Sequence, residues 1–378
     1  MAVEFCRVCS RELFQEILLH YSNMPKAAQN FPDAESVHHE EGADLTIRQC
    51  SGCGLVQLDG DPVPYYREVI RAAGISDVLR DSKTQQFTDF IDRFSLQGKK
   101  IIEIGCGRGE FLSLLEPLKI SAHGIEHADD SVAHCRKQGL RVTKNYLDVG
   151  LLLPDGPFDA FFLLMFLEHM PDPNGALRAL HDNLKPGAVG LIEVPNFDMM
   201  LRNRLFSEFI ADHLLYFTAD SLRTTLHING FEVLDCGELR DAYVLAAVVR
   251  RRERLDISDF RDCQASLENE LRRFIAGFGE GRVAIWGAGH QSLAVIALTQ
   301  VASKIRYVVD AAPFKQWRFT PATHLAIVPP ETLRLDPVDA VIVICGSYSD
   351  EVAGILRRDF DSRIAVAILR DFGLEPVP

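Results

Sequence analysis

Four cysteines of the chain fall in two pairs, Cys6/Cys9 in CRVC and Cys50/Cys53 in CSGC. A CxxC turn points two thiolates at one point in space, and two such turns complete a closed tetrahedral set with no ligand position left open. That pattern suits a structural zinc ion, whose binding energy would fold a segment too short to fold alone. The other cysteines, Cys106, Cys135, Cys236, Cys263 and Cys345, are scattered singly. No thioredoxin-like strand and helix surround either pair, so metal ligation is read ahead of disulfide or redox chemistry.

A second constellation lies at 99–111, KKIIEIGCGRGEF. An apolar strand carries Glu103 near its end, and Gly105, Gly107 and Gly109 then open a helix. Glycines let the backbone turn tightly and approach a ligand at the helix N-terminus. Residues 122–126 (AHGIE) read as a second strand ending in Glu126, whose carboxylate can accept both hydroxyl protons of a ribose. To this point a dinucleotide would serve equally. The acid followed by GxGxG resembles the first motif of class I S-adenosylmethionine-dependent methyltransferases. DAFFLLMFLEHMPD at 159–172 resembles that family's fourth strand with its EHxxD end, and LKPGAVGLIEVPN at 184–196 its following turn and fifth strand. The resemblance implies S-adenosylmethionine as methyl donor, held by Gly105, Cys106, Gly107 and Gly109. It puts Glu103 near the methionine amino end, Glu126 on the ribose and Asn145 near the adenine.

These groups need elements to carry them. Apolar runs alternate with helical patterns over residues 98–250 and again from 281, which predicts an α/β chain with two parallel-sheet domains. Phe87, Phe90, Ile91 and Phe94 recur at helical spacing with Lys83, Gln86, Asp89 and Asp92 among the polar positions. Leu267, Leu271, Phe274 and Phe278 predict a second docking helix, reached after Arg250, Arg251 and Arg252, which read as a solvated strand end. In the last part, 282–288, 305–310, 339–345 and 364–369 read as strands of a small Rossmann-like sheet. There Gly287, Gly289, His290 and Lys315 are candidates to meet a phosphate, and an inherited, empty turn is the alternative. The expected domains are 1–61, the four-cysteine module; 62–250, the methyl-transfer domain with its leading helices; and 251–378, the linker helix with the second Rossmann-like domain.

The chain has 378 residues, 47% hydrophobic and 25% charged, with a formal net charge of -13. So acidic a surface is poorly suited to gripping nucleic-acid phosphates, and no NPPY-like motif follows the fourth strand. The longest apolar run, 160–167, has the length of a buried strand and falls far short of the ~20 residues of a membrane helix. No signal-peptide pattern is read at the start, so a cytoplasmic protein without membrane or nucleic-acid partners is expected. The oligomeric state is not legible.

Beyond the central domain, the whole chain resembles the nucleotide-sugar 3-C-methyltransferases of deoxysugar pathways. The matching pieces are CRVC, CSGCGLVQL at 50–58, EIGCGRG, DHLLYFTADSL at 212–222, RVAIWGAG at 282–289 and YVVDAAPFKQWRFTP at 307–321. The resemblance implies methylation of a carbon beside a ketone on a TDP-linked sugar: a base removes the C–H proton and an enolate attacks the methyl group. Such chemistry needs a base and donors for the enolate oxygen. His169 matches the family histidine after the fourth strand, and His213 matches the last member of its Tyr-x-Glu-His cluster, here Ile210-Ala211-Asp212-His213. His213 is therefore the candidate base, Asp212 its neighbour and His169 an assistant, while Glu168 is read as ordering the loop. Tyr216 is a candidate donor to substrate or a core residue. A further family tyrosine has only Tyr65 and Tyr66 as candidates. Because Ile210 and Asp212 depart from the pattern, O-methylation of a sugar or small metabolite stays open, as does a non-catalytic protein that senses S-adenosylmethionine.

Overall fold

The computed structural model describes residues 3–26, 31–67, 75–371 and 373–377. Residues 68–74, most of the YYREVIRAAG stretch, lie outside the described residues. Contacts divide the chain into two compact units, Met1–Glu253 and Arg254–Pro378.

The cysteine-bearing segment supplies β1 (Leu19–Met24), β2 (Ala43–Gln49) and β3 (Val56–Leu58). The main sheet of the first unit then begins with β4 (Lys100–Ile104), β5 (Ser121–Glu126), β6 (Val142–Lys144), β7 (Phe158–Leu164) and β8 (Leu184–Pro195). It is completed, after the short β9 (Leu215–Tyr216), by β10 (Phe231–Leu239) and β11 (Val244–Arg251). Its order is β10-β11-β8-β7-β4-β5-β6. Strands β4 to β8 pair in parallel, and β11 runs antiparallel between β8 and β10. Numbered within the domain, this is the order 3-2-1-4-5-7-6 of the class I fold, reached because each βα crossover returns the chain to a parallel neighbour. The central strands are buried on both faces, which is why they read as unbroken apolar runs.

The helix Asp77–Arg93 covers one face of this sheet with Phe87, Phe90 and Ile91. Ser76 caps it by accepting from the Leu79 N–H at 3.2 Å. One polar position behaves otherwise than its sequence pattern predicts. Lys83 is only 1% exposed and its Nζ meets the buried carboxylate of Glu193 on β8. Gln86 bonds both partners, accepting from Lys83 at 2.8 Å and donating to Glu193 at 2.6 Å. A buried carboxylate demands such partners, so the lysine follows the charge rather than the helix periodicity.

The cysteine segment does not stand apart. Its β3 pairs with β9 of the methyl-transfer domain, Val56 opposite Tyr216 and Gln57 opposite Leu215. Leu45, Ile47, Leu55 and Leu58 share one buried cluster with Leu163, Leu167 and Ile192 of the main sheet region.

The second unit contains β12 (Val283–Trp286), β13 (Ile305–Val309), β14 (Arg318–Phe319), β15 (Ala326–Val328), β16 (Ala340–Val343), β17 (Ala365–Arg370) and β18 (Gly373–Val377). The order is β14-β15-β13-β12-β16-β17-β18, parallel except for the two edge strands. The helix Asp259–Ala276 buries Leu271 and Ile275 within this unit. Arg250 and Arg251 end β11 half-exposed.

Candidate active site

At the end of β4 the backbone turns left-handed three times, with φ of +66° at Gly105, +56° at Gly107 and +85° at Gly109. Glycine adopts these angles without steric cost. At Gly109 space also decides, because a Cβ would stand 2.4 Å from Leu140 Cδ1 and 3.1 Å from Cys135 Sγ. Glu126, at the end of β5, closes over this loop. Its Oε2 accepts from the Gly107 N–H at 2.9 Å, and its Oε1 from the His127 and Ala128 N–H groups at 2.8 Å each. A carboxylate offers about four acceptor directions, so one on Oε2 stays open. Burial raises the Glu126 carboxyl above its usual range against the pull of these backbone donors.

A narrow, solvent-open pocket lies against this loop, lined in part by Gly105, Glu126, Asn145, Tyr146, Phe166 and Arg67. Of the residues expected to hold the donor, Gly105, Glu126 and Asn145 meet here. Glu103, Cys106, Gly107 and Gly109 are not among the lining residues. Glu103 is buried within β4, and the Cys106 side chain turns into the core behind the loop. Asn145 spends its side-chain oxygen on the Tyr146 N–H at 2.8 Å. Arg67, which no sequence motif marks, stacks on Tyr146 at 5.0 Å from the ring centroid and pairs with Asp148.

The residues after β7 link this cavity to a second cluster. Met165 takes a left-handed φ of +54°, a costly conformation for a side-chain-bearing residue that marks a sharp change of direction. Phe166 then faces the cavity, and the 3-10 turn Leu167–His169 buries Glu168 and His169. His169 Nδ1–H donates to the Asp212 carbonyl at 2.8 Å, which leaves Nε2 with its lone pair. The His213 ring lies edge-on to His169, with centroids 4.7 Å apart. Tyr65 donates to Asp212 Oδ1 at 2.5 Å. The three expected catalytic residues, His169, Asp212 and His213, are thus adjacent, and Tyr65 rather than Tyr66 joins them. Tyr216 instead serves the core, accepting from the Ile210 N–H at 3.0 Å and donating to its carbonyl at 3.3 Å.

Burial dominates the electrostatics of this cluster. It pushes His213 down to about 3, with the neighbouring His169 charge adding to the effect, and it also lowers His169. It raises Glu168 to about 8. Two neutral imidazoles and a carboxyl group that holds its proton near neutrality therefore share one pocket of low polarity.

The cysteine segment buttresses this cluster from one side. Cys6 and Cys53 Sγ lie 3.6 Å apart, Cys9 and Cys50 Sγ 3.3 Å, and all four sulfurs fall within 4.8 Å of one another. Thiolates about 2.3 Å from zinc at tetrahedral angles stand roughly 3.8 Å apart, so the set fits such an ion. Each pair also has matched N–H···S contacts, from Val8 and Cys9 to Cys6 and from Gly52 and Cys53 to Cys50. The Arg7 guanidinium donates to the Pro171 carbonyl at 3.2 Å, and Asn174 Nδ2 donates to the Val8 carbonyl at 2.6 Å. Leu58 N–H donates to the Leu214 carbonyl at 3.0 Å, one residue beyond His213. The metal-type turns therefore brace both segments that carry the histidines.

In the second unit, the turn after β12 is already occupied by its own chain. Asp310 Oδ2 accepts from the Ala288 N–H at 2.8 Å and from Lys315 Nζ at 2.9 Å. Lys315, a candidate for phosphate contact, is thus paired with Asp310.

Residues 79–235 match the family profile of a methyltransferase domain, and residues 253–366 that of a C-methyltransferase C-terminal domain. The chain is similar to the C-methyltransferase NovU of Streptomyces niveus, with 21% identity over 93% of this chain and 91% of that protein. It is similar over a shorter stretch to the ubiquinone biosynthesis O-methyltransferase of Methylococcus capsulatus, 31% identical over 32% of this chain and 53% of that protein. A solved S-adenosylmethionine-dependent methyltransferase from Clostridium acetobutylicum shares 14% identity and a TM-score of 0.40 over 47% of this chain and 94% of its own. The two domain matches follow one another along the chain, with the glycine loop inside the first, and the protein is an S-adenosylmethionine-dependent methyltransferase that carries a C-methyltransferase C-terminal domain.

Proposed function

We propose that the protein methylates a carbon next to a keto group on a nucleotide-activated sugar. The observation that carries this reading is the His169–His213 pair, with His169 buried and His213 half-buried, set one turn from the Phe166 edge of the glycine-loop cavity and flanked by Asp212 and Tyr65. A hydroxyl acceptor needs little more than orientation. A C–H acceptor needs a dedicated base and a site that excludes water. The presence of a C-methyltransferase C-terminal domain and the likeness to NovU support carbon over oxygen.

In this account S-adenosylmethionine supplies an electrophilic methyl on its sulfonium. Gly105, Glu126 and Asn145 line its cavity, with Gly107 and Gly109 shaping the loop, and the free acceptor direction on Glu126 takes a ribose hydroxyl. His213 removes the proton from the carbon beside the ketone. His169, fixed in one tautomer by the Asp212 carbonyl, keeps the His213 ring in place. The Tyr65 hydroxyl, held at Asp212, is positioned to orient the acceptor. Cys6, Cys9, Cys50 and Cys53 hold a structural zinc ion, and the closed ligand set keeps that ion out of the chemistry.

The test incubates purified protein and S-adenosylmethionine with TDP-, GDP-, CDP- and UDP-linked sugars, in keto and hydroxy forms, and follows mass. Gain of one methylene unit on a keto sugar, with loss of an exchangeable ring proton, supports the proposal. Gain only on hydroxy sugars that lack a ketone would replace it with O-methylation.

A further inference from the structure

The sequence reads Glu168 as ordering its loop, yet its setting is costly for that task. Its side chain is 1% exposed, and neither carboxylate oxygen has a hydrogen-bond partner among the described residues. Folds carry such a group only where something compensates it. What surrounds it is the histidine pair. Its Oε1 stands 3.9 Å from His169 Nε2, and a carboxylate oxygen and one nitrogen from each of His169 and His213 lie within 4.8 Å of one another. His213 Nδ1 is likewise sealed from solvent and without a partner among the described residues.

His213 also has a deficit of its own. Burial and the neighbouring His169 hold its protonated form down to about 3. An imidazole whose cation is so disfavoured has little affinity for a proton on carbon. An anion within reach of the ring would restore that affinity, and Glu168 is the buried carboxylate beside it.

We propose that Glu168 is the positioning residue that makes His213 a competent base, its carboxylate pairing with the imidazolium formed when His213 takes the acceptor's proton. The inference rests on the reading of His213 as base. In the step itself the acceptor C–H bond breaks, its electron pair stays on the acceptor as an enolate, and the proton bonds to a His213 ring nitrogen. The negative Glu168 balances the new positive charge inside the pocket, so no net charge appears on the protein side of the step. The arrangement parallels a carboxylate–histidine dyad, in which the acid orients the ring and stabilises its cation. Glu168 performs this role once it is ionised. Burial holds its proton to about pH 8. The titratable groups around it are His169, His213, Asp212 with Tyr65 behind the His169 ring, and Tyr243, whose hydroxyl feels the Glu168 charge. The base step therefore strengthens as pH rises through about 8.

The experiment measures solvent-deuterium uptake into a TDP-linked keto sugar by NMR, without methyl donor, from acid to mildly alkaline pH. Wild type, Glu168→Gln, Glu168→Asp and His213→Ala are compared. The expected wild-type rate rises to a plateau above pH 8. Glu168→Gln loses about a hundredfold or more together with that pH limb, yet keeps its donor Kd and a Tm no lower than wild type at any pH, and Glu168→Asp recovers part of the rate. Glu168→Gln with the wild-type rate and limb, while His213→Ala has no exchange, overturns this inference and leaves the function standing. Exchange that survives in His213→Ala overturns both. Loss of rate accompanied by a fallen Tm or weakened donor binding marks a packing role and also overturns the inference, as would a divalent metal ion bound in wild type and lost in Glu168→Gln.

Discussion

Emptying the four-cysteine site should disable proton abstraction while sparing donor binding. The hydrogen bonds that cross from the cysteine turns to the histidine segments are few and specific, and they sit beside an apolar cluster shared with Leu167 and Leu214. Leu58 N–H donates to the Leu214 carbonyl, Asn174 to Val8 and Arg7 to Pro171, beside the two residue pairs of the β3–β9 ladder. At about 1 kcal/mol net for each hydrogen bond, losing the first three releases roughly 3 kcal/mol of restraint on the His213 and His169 segments. At 1.36 kcal/mol per tenfold, the fraction of molecules with the histidines in place then falls about a hundredfold. Nothing in the module itself would offset this, because a structural zinc ion contributes on the order of 10–16 kcal/mol to a short segment that cannot fold without it. The glycine-loop cavity is lined mainly from the ends of β4, β5 and β6, with Arg67 and Phe166 completing it, whereas β3 and β9 belong to a different sheet. Cys9→Ser, or exhaustive chelation, is therefore expected to lower deuterium uptake into the acceptor about a hundredfold while calorimetry finds unchanged S-adenosylmethionine binding. Full uptake in metal-depleted, folded protein would refute the bracing argument. Simultaneous loss of uptake and donor binding would also refute it, by showing global collapse.

Three further outcomes follow from single residues. Glu168→Gln should flatten a pH dependence of stability. An acid raised from its ordinary 4.5 to about 8 keeps its proton in the fold after the unfolded chain has released it. Stability from this group is therefore present below pH 4.5 and lost as pH rises toward 8, by roughly 5 kcal/mol over the interval. Urea titrations at pH 5 and 8 should show this fall in wild type and a smaller one in the variant. Lys83→Met should cost up to about 3–5 kcal/mol by removing the buried cation that faces Glu193, which keeps only Gln86 and the more distant Arg240, and adding Glu193→Leu should recover most of it, a cycle readable by chemical denaturation. Gly109→Ala should weaken S-adenosylmethionine binding about tenfold or more, because a left-handed alanine costs roughly 1–2 kcal/mol and its Cβ would meet Leu140. Calorimetry on the folded variant checks this.

Much of the site was legible in the sequence, for physical reasons. Strands buried on both faces must be continuously apolar, so 99–104 and 159–164 announced themselves, and left-handed turns need glycine, so the loop at 105–109 did as well. Ligand spacing in CRVC and CSGC fixed the cysteine cluster before any fold was known. What stayed hidden depends on long-range register. Nothing local in VQL at 56–58 says that it pairs with Leu215 and Tyr216, and so nothing local says that the cysteine turns brace His213. Lys83 sat at a polar helical position and went inside because Glu193, 110 residues later, needed it there. Tyr65 and Tyr66 are equivalent as letters, and only the chain path brings the Tyr65 hydroxyl to Asp212. Glu168 read as a residue that orders its loop, and the burial of its carboxylate without a hydrogen-bond partner among the described residues is a property of packing that no spacing encodes.

The most direct test of carbon methylation uses S-adenosylmethionine carrying a ¹³C-labelled methyl group, the purified protein and a keto nucleotide sugar, with the product read by carbon NMR. The expected product carries the labelled methyl bonded directly to a ring carbon beside the ketone, formed at a rate that collapses in His213→Ala. A labelled methyl at the shift of a methyl ether, or a carbon-bound methyl that forms equally well in His213→Ala, would contradict it.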